Sequence, residues 1–278
     1  MFFLLLSILS SALIAILMRL SSDKVRNPLS MLLSNYLVCI LLGMFYCDFQ
    51  IFLPGESRFS TSLVLGLFNG FLYLSSFVIY QYNTRKNGIV LSSIFIKLGL
   101  LVPMVVSVLF FREIPTAFQI IGFLLAIIAI LLINRTENSE KKSLGFGLIL
   151  LLLLGGSADA MSKVFSVFCP ETLSNQFLLF THCTAFLLCA MLVIFKKERP
   201  GKQEFLYGAI IGIPNFFSSK FLLSALTTVP AVVAYPTFSV STMLMVTLAG
   251  TWFFREKLNK FQWVALVIIL VALALLNL

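Results

Sequence analysis

Charge is what this chain has least of. Only 11% of its 278 residues are Asp, Glu, Lys or Arg, against 60% hydrophobic, and the mean hydropathy is +1.04. A soluble chain of this length could bury a large core, but it would need far more charge to cover its surface. Histidine occurs once, as His182. The 5 cysteines, Cys39, Cys47, Cys169, Cys183 and Cys189, make no CxxC pair, so zinc and dithiol frameworks are excluded and small apolar packing roles remain. No metal site and no cofactor is expected. A GxxxxGK[ST] loop is missing and the linkers are too short for an ATPase domain, which excludes hydrolysis-driven work within the chain.

What is abundant is long apolar sequence. Ten runs stand out, at 2–20, 29–46, 60–82, 88–110, 114–133, 144–168, 171–195, 204–227, 230–252 and 260–277. At about 1.5 Å per residue, runs of roughly 18–25 residues cross the ~30 Å hydrocarbon layer as helices. Continuous apolarity without two-residue alternation excludes a transmembrane barrel. The first run has no basic stretch ahead of it and no small-x-small cleavage pattern after Leu20, so it is read as a span and not as a signal peptide. The fold class expected is an all-α polytopic membrane protein of ten transmembrane helices.

The net charge of +9 would suggest nucleic acid if it formed a face. It does not. Most of the basic residues sit in alternate loops: Arg19, Lys24 and Arg26; Arg85 and Lys86; Arg135, Lys141 and Lys142; Lys196, Lys197, Arg199 and Lys202; Arg255, Lys257 and Lys260. The intervening loops hold only Arg58 and Arg112. That alternation is a topology signal, placing the five basic loops in the cytoplasm and both termini outside. No basic face with stacking aromatics remains, so no nucleic-acid partner is expected. The lipid bilayer is the expected surroundings, as a multi-pass protein of a plasma (inner) membrane, monomeric or homodimeric.

The second half repeats the first. Phe110-Phe111-Arg112-Glu113 returns as Phe253-Phe254-Arg255-Glu256, and the same offset carries Phe118-Gln119 onto Phe261-Gln262 and Ser75-Ser76 onto Ser218-Ser219. Gly66 and Gly70 fall on Gly208 and Gly212 with a one-residue slip. Residues 1–134 and 144–278 are therefore read as two five-helix repeats, joined by the polar linker 135–143. An odd number of spans per copy inverts the second copy, and inverted repeats commonly hold a solute near the midplane. The paired GxxxG sites fit either close static packing or a sliding contact. Pro103, Pro214 and Pro236 lie within spans, where each frees a carbonyl; Pro115 is placed in the first turn of span five. Glu113 and Glu256 are read as N-terminal caps of spans five and ten, paired to the adjacent Arg.

Two five-span copies, each running from an apolar helix through Glu-x-x-x-x-x-Gln into a last helix, resemble the EamA-type, ten-helix members of the drug/metabolite transporter superfamily. The matching positions are Glu113 with Gln119 and Glu256 with Gln262. Two departures stand out: Leu100 and Met243 occupy positions where such proteins often carry proline, and the termini look extracytoplasmic where relatives have them cytoplasmic. The resemblance implies a cavity lined by spans one, three, four, six, eight and nine, with spans five and ten at the periphery.

Charge inside the spans is the sharpest functional signal. Lys97 lies roughly 13–20 Å from either end of its run at 1.5 Å per residue, too deep for its amine to snorkel out. It needs a wet cavity or a partner. Lys220 is nearer a span end. Asp159 and Lys163 are one turn apart on span six and either neutralise each other or form a charged rim. Asn69 with Tyr73, Asn215 with Ser219, and Tyr235 are polar candidates to line a cavity or to glue helices together. The substrate-contacting set is thus Lys97, Lys220, Lys163, Asp159, Asn69, Tyr73, Asn215 and Tyr235. Proton coupling, where it exists, would pass through Asp159 or His182.

Three lysines against one aspartate favour an anionic or zwitterionic solute. The expectation is a secondary transporter moving a small polar metabolite by alternating access, and not an enzyme. Two alternatives are a non-transporting partner subunit and a lipid-modifying membrane enzyme. Ser157, Asp159 and His182 could be drawn as a triad for the latter, but no nucleophile-elbow or metal-ligand spacing surrounds them.

Overall fold

The computed structural model describes residues 1–21, 24–53, 55–87, 89–133, 146–198, 201–253 and 260–277. They form helices α1 (Phe2–Ser21), α2 (Pro28–Tyr46), α3 (Phe59–Asn87), α4 (Ile89–Leu98), α5 (Leu101–Phe111), α6 (Ala117–Ile133), α7 (Phe146–Phe168), α8 (Ser174–Phe195), α9 (Lys202–Ala225), α10 (Ala231–Phe253) and α11 (Lys260–Leu276). No strand occurs among the described residues. Seven helices are long and apolar enough to span a bilayer, and three shorter apolar stretches, Phe95–Phe111, Ala117–Leu132 and Trp263–Leu276, accompany them. Backbone polar groups have no water to bond inside hydrocarbon, so helices are the form that satisfies them within one segment. The protein is an all-helical polytopic membrane protein. Arg255, Glu256 and the 135–143 linker lie outside the described residues.

Local chemistry sets the helix ends. Pro28 starts α2 with Asn27 as its N-cap, where a missing N–H costs nothing. At the end of α2, Asp48 takes φ 49°, and the amides of Asp48 and Phe49 donate back to the Phe45 and Met44 carbonyls. The end of α8 does the same: Lys197 takes φ 53°, and the amides of Lys197 and Glu198 donate to the Ile194 and Val193 carbonyls. This is the Schellman closure, built twice at equivalent places and both times without the usual glycine.

Span four departs from the continuous helix expected over 88–110. It breaks at Gly99-Leu100 into α4 and α5. Pro103 has no N–H to give the Gly99 carbonyl, which instead accepts from Val102, one residue short of the α-helical spacing, at 2.9 Å. The Gly99 and Leu100 amides likewise reach back only three residues, to Ile96 at 3.2 Å and Lys97 at 3.4 Å. A proline plus a tightened turn is the recognised cause of such a kink. Leu100, 2% exposed, fixes it by packing with Phe123, Ile130 and Leu276.

Two compact units divide the chain, and each takes helices from both repeats. The first comprises Met1–Leu74 and Val164–Thr228. In it α2 packs on α8 and α9, and α1 packs on α9. Gly66 and Gly70 of α3 lie against α8, where an added Cβ at Gly66 would meet the Phe177 carbonyl at 2.9 Å. Gly208 and Gly212 of α9 lie against α2, where an added Cβ at Gly212 would meet the Asn35 carbonyl at 2.8 Å. The GxxxG pairs are therefore close-packed backbone contacts, as small-x-x-x-small interfaces are in membranes. They are also repeat-equivalent: span three on seven matches span eight on two.

The second unit comprises Ser75–Lys163 and Val229–Leu278. Its densest contact joins α6 to α11, through Ala126, Ala129, Ala265, Ile269 and Ala272 with Val240 of α10. The α6 start corrects the expected cap. Pro115 falls outside the helix, and the Thr116 amide donates to Gln119 Oε1 at 3.1 Å while the Gln119 amide donates to Thr116 Oγ1 at 3.2 Å. That reciprocal capping box leaves Glu113 free for other work.

Candidate functional site

Helix α7 organises the charges of the second unit. Its Gly155-Gly156-Ser157-Ala158 stretch presents no bulk, so the α4/α5 break comes against its backbone: a Cβ at Gly156 would collide with the Gly99 carbonyl, and one at Gly99 would lie 3.1 Å from the Gly156 nitrogen. The approach of these two glycines sets the rest. Lys97 is two residues before the break and Asp159 is three residues after Gly156, so both charges arrive at one place. They feel each other's field, yet among the described residues no salt bridge joins them. Both side chains are half-buried. Lys97 also occupies the last turn of α4, where an ammonium meets the negative end of the helix dipole.

One turn along α7, Lys163 behaves differently. Its Nζ lies 2.5 Å from Glu113 Oε1 and 5.8 Å from the centre of the Phe111 ring. Glu113 Oε2 accepts the Val232 amide at 3.2 Å, in the first turn of α10. Glu113 thus caps α10, not α6 as expected, and takes Lys163, for which pairing with Asp159 was one of two alternatives. The Asp159–Lys163 neutralisation is not formed. Lys163 is 7% exposed, and a buried lysine with a bonded carboxylate is a closed structural unit. Tyr235, 1% exposed, donates its hydroxyl to the Asp159 carbonyl at 2.7 Å. It ties α10 to α7 at the residue that carries the acid.

The remaining candidates belong to the first unit. Lys220 Nζ stands 3.3 Å from the centre of the Tyr46 ring, a cation–π contact, with Tyr46 stacked on Phe216 at 5.7 Å. Asn215 donates to Asn35 Oδ1 at 3.1 Å and Asn69 to Thr181 Oγ1 at 3.4 Å. Both amides serve helix contacts. The Tyr73 hydroxyl is 3.5 Å from Ser219 Oγ. His182, 1% exposed, sits among the rings of Tyr36, Tyr73 and Phe216 at 6.2–6.5 Å. Neither ring nitrogen makes a well-formed hydrogen bond; the Leu178 carbonyl one turn back is the polar group within its reach. Within the second unit the structure thus gathers Lys97, Asp159, Lys163 and Tyr235 along α7. Within the first it gathers Tyr73 with Ser219 and Lys220 with Tyr46.

Sequence reasoning missed Gly99, Gly156 and Tyr46 as positioning residues. The signal for the first two was a glycine four residues before Pro103 and a glycine pair in the middle of an otherwise bulky apolar run. Tyr46 ends a span and gave no such signal.

An uncharacterized protein of Haemophilus influenzae is 23% identical over 287 residues, covering 97% of this chain and 95% of that protein. A crystal structure of a protein 13% identical to this chain has a TM-score of 0.75, with 99% of this chain and 98% of that one covered. At that identity the likeness is one of fold. A family model for EamA-like transporters matches twice, over residues 1–135 and again over 146–278. With nearly the whole chain matched, the protein belongs to the EamA-like transporter family.

Proposed function

We propose that this protein is a secondary transporter that moves a small zwitterionic or anionic metabolite across a plasma (inner) membrane by alternating access, with both termini outside. Membership of a transporter family supports the general reading. The observation that carries the finer one is the open Lys97–Asp159 pair beside the α4/α5 break. Two opposite charges that attract without closing leave each able to take a partner from a solute. Lys97 offers an ammonium to a carboxylate or phosphate, and Asp159 offers a carboxylate to an amine. Discontinuous helices recur at the binding sites of secondary transporters because a break exposes backbone groups and helix ends to the solute. With Lys163 neutralised by Glu113, the charge count of the spans is two lysines, Lys97 and Lys220, to one acid, Asp159, and the balance still favours an anion or zwitterion. Asp159 is the proton carrier of choice where the solute is proton-coupled; His182, packed among rings, serves as a core residue.

The test is flux through the purified chain in proteoliposomes. A thermal-shift panel of amino acids, organic acids, sugar phosphates, nucleosides and vitamins selects the solute, since a ligand bound only by the folded state raises Tm. Uptake of that solute should fall to background in Asp159→Asn and Lys97→Ala. Full uptake by both variants would remove the site assignment, and no flux of any solute would favour a partner subunit.

A further inference from the structure

The loop between α1 and α2 and the first turn of α9 enclose a recess of about 460 Å³, lined by Lys24, Arg26, Asn27, Gly201, Lys202, Gln203 and Glu204. All of it belongs to the first unit. Its charge is one-sided. Glu204 is the one acid of the lining, and it is 6% exposed and already spent. Its Oε1 accepts the Arg26 amide at 3.0 Å, and its Oε2 folds against Gly201 at the start of α9. Lys24, Arg26 and Lys202 are exposed. The Lys24 amine stands 5.6 Å from the centre of the Tyr207 ring, and a hydrogen bond to the Tyr207 hydroxyl raises its pKa above the usual lysine value. Immediately along α9, Phe205 and Leu206 are 58% and 56% exposed, so the mouth of a cationic recess adjoins an apolar surface. Asp23 and Arg199, neighbouring charges of opposite sign, lie outside the described residues.

We propose that this recess binds a phosphate group, presented by an anionic phospholipid whose acyl chains run along Phe205 and Leu206. Three cations around one volume, with the local carboxylate bonded to backbone amides, match the charge of a phosphodiester. Basic recesses at the ends of spans are where anionic headgroups are held. The adjoining apolar surface favours a lipid over free phosphate. The loop is one of those the basic alternation places in the cytoplasm, where anionic headgroups are available. This reading is independent of the Lys97–Asp159 site.

The experiment is thermal unfolding of the full chain in a neutral detergent, titrated with short-chain phosphatidylglycerol, short-chain phosphatidylcholine or inorganic phosphate. Phosphatidylglycerol should raise Tm where phosphatidylcholine does not. Its half-saturating concentration should rise roughly fivefold for each of Lys24→Gln, Arg26→Gln and Lys202→Gln. The pair Lys196→Gln/Lys197→Gln, which removes exposed charge outside the recess, should leave it unchanged. If inorganic phosphate alone reproduces a shift that the recess variants lose, the site stands and its occupant is free phosphate. A shift equal in the wild type and the recess variants, or lost equally in the Lys196/Lys197 control, overturns the proposal. Should Lys24→Gln or Arg26→Gln fail to elute as a single species, Lys202→Gln decides.

Discussion

Two acid–base pairs meet on α7 one helical turn apart. Lys163 and Glu113 close to 2.5 Å, with the second carboxylate oxygen bonded to the Val232 amide, so both oxygens of the acid are engaged. Lys97 and Asp159 share a field and partial burial without a direct bond. Their surroundings account for the difference. Glu113 sits on a short connection between α5 and α6 and can move to its partners. Lys97 and Asp159 are each held on a helix, at a separation set by the Gly99–Gly156 contact. A closed pair joins three elements and has its charges already matched. An open pair costs stability and keeps its valence, a pattern expected of a binding site and not of a staple.

The comparison makes its strongest claim about transport. Lys97→Ala should lower solute uptake at least tenfold, on the order of one lost charge-assisted contact, while Tm changes little because no closed bond is broken. Reconstituted uptake measured beside thermal unfolding checks both halves at once. If Lys97→Ala melts the protein as strongly as loss of Glu113 does, the two pairs are alike and the distinction fails.

Stability carries the converse. Glu113→Gln leaves Lys163 buried without its counter-charge, and removing one partner of such a pair costs about 3–5 kcal/mol. The double variant Glu113→Gln/Lys163→Met should recover part of that, since the stranded charge is gone. A Tm for the double variant no higher than for the single would show that the stranded lysine charge is not what Glu113→Gln costs.

Packing under the open pair is the next handle. Gly156→Val places bulk where the Gly99 carbonyl lies, so the broken segment must move away and Lys97 with it. Overpacking of this kind costs about 1–3 kcal/mol, and the expected mark is an uptake loss larger than the fall in Tm explains. Gly208→Val, which overpacks α9 on α2 in the first unit, should lower Tm comparably and supplies the baseline.

Much of this fold could be read from the residues, because a bilayer admits few alternatives. Ten apolar runs, and two copies related by Phe-Phe-Arg-Glu and paired GxxxG sites, are properties of the chain alone. Partners were harder to read. The one-turn spacing of Asp159 and Lys163 permitted a pair on α7, but Glu113 and its Val232 contact, far apart in sequence, outcompeted it, and spacing along one helix says nothing about a third element. Pro103 announced a bend; that the bend becomes a break at Gly99-Leu100 depends on Gly156 and on Leu100 reaching Phe123 and Leu276, contacts that exist only in the folded bundle. Lys97 stood out by depth, whereas its nearness to Asp159 did not.

The smallest expected effect tests why Glu113 was free to leave its own helix. Thr116 and Gln119 already cap α6 reciprocally, so an acid at position 113 would be redundant there and bonds α10 instead. Thr116→Ala removes one half of the box and should cost about 1 kcal/mol, the usual worth of such a cap. Uptake should be unaltered, because neither Lys97 nor Asp159 is touched. Thr116→Ser, which keeps the hydroxyl, should restore the wild-type Tm. If Thr116→Ala instead cost as much as Glu113→Gln, the carboxylate would have swung back to cap α6 and released Lys163, and the closed pair would be a contingent contact and not a fixed one.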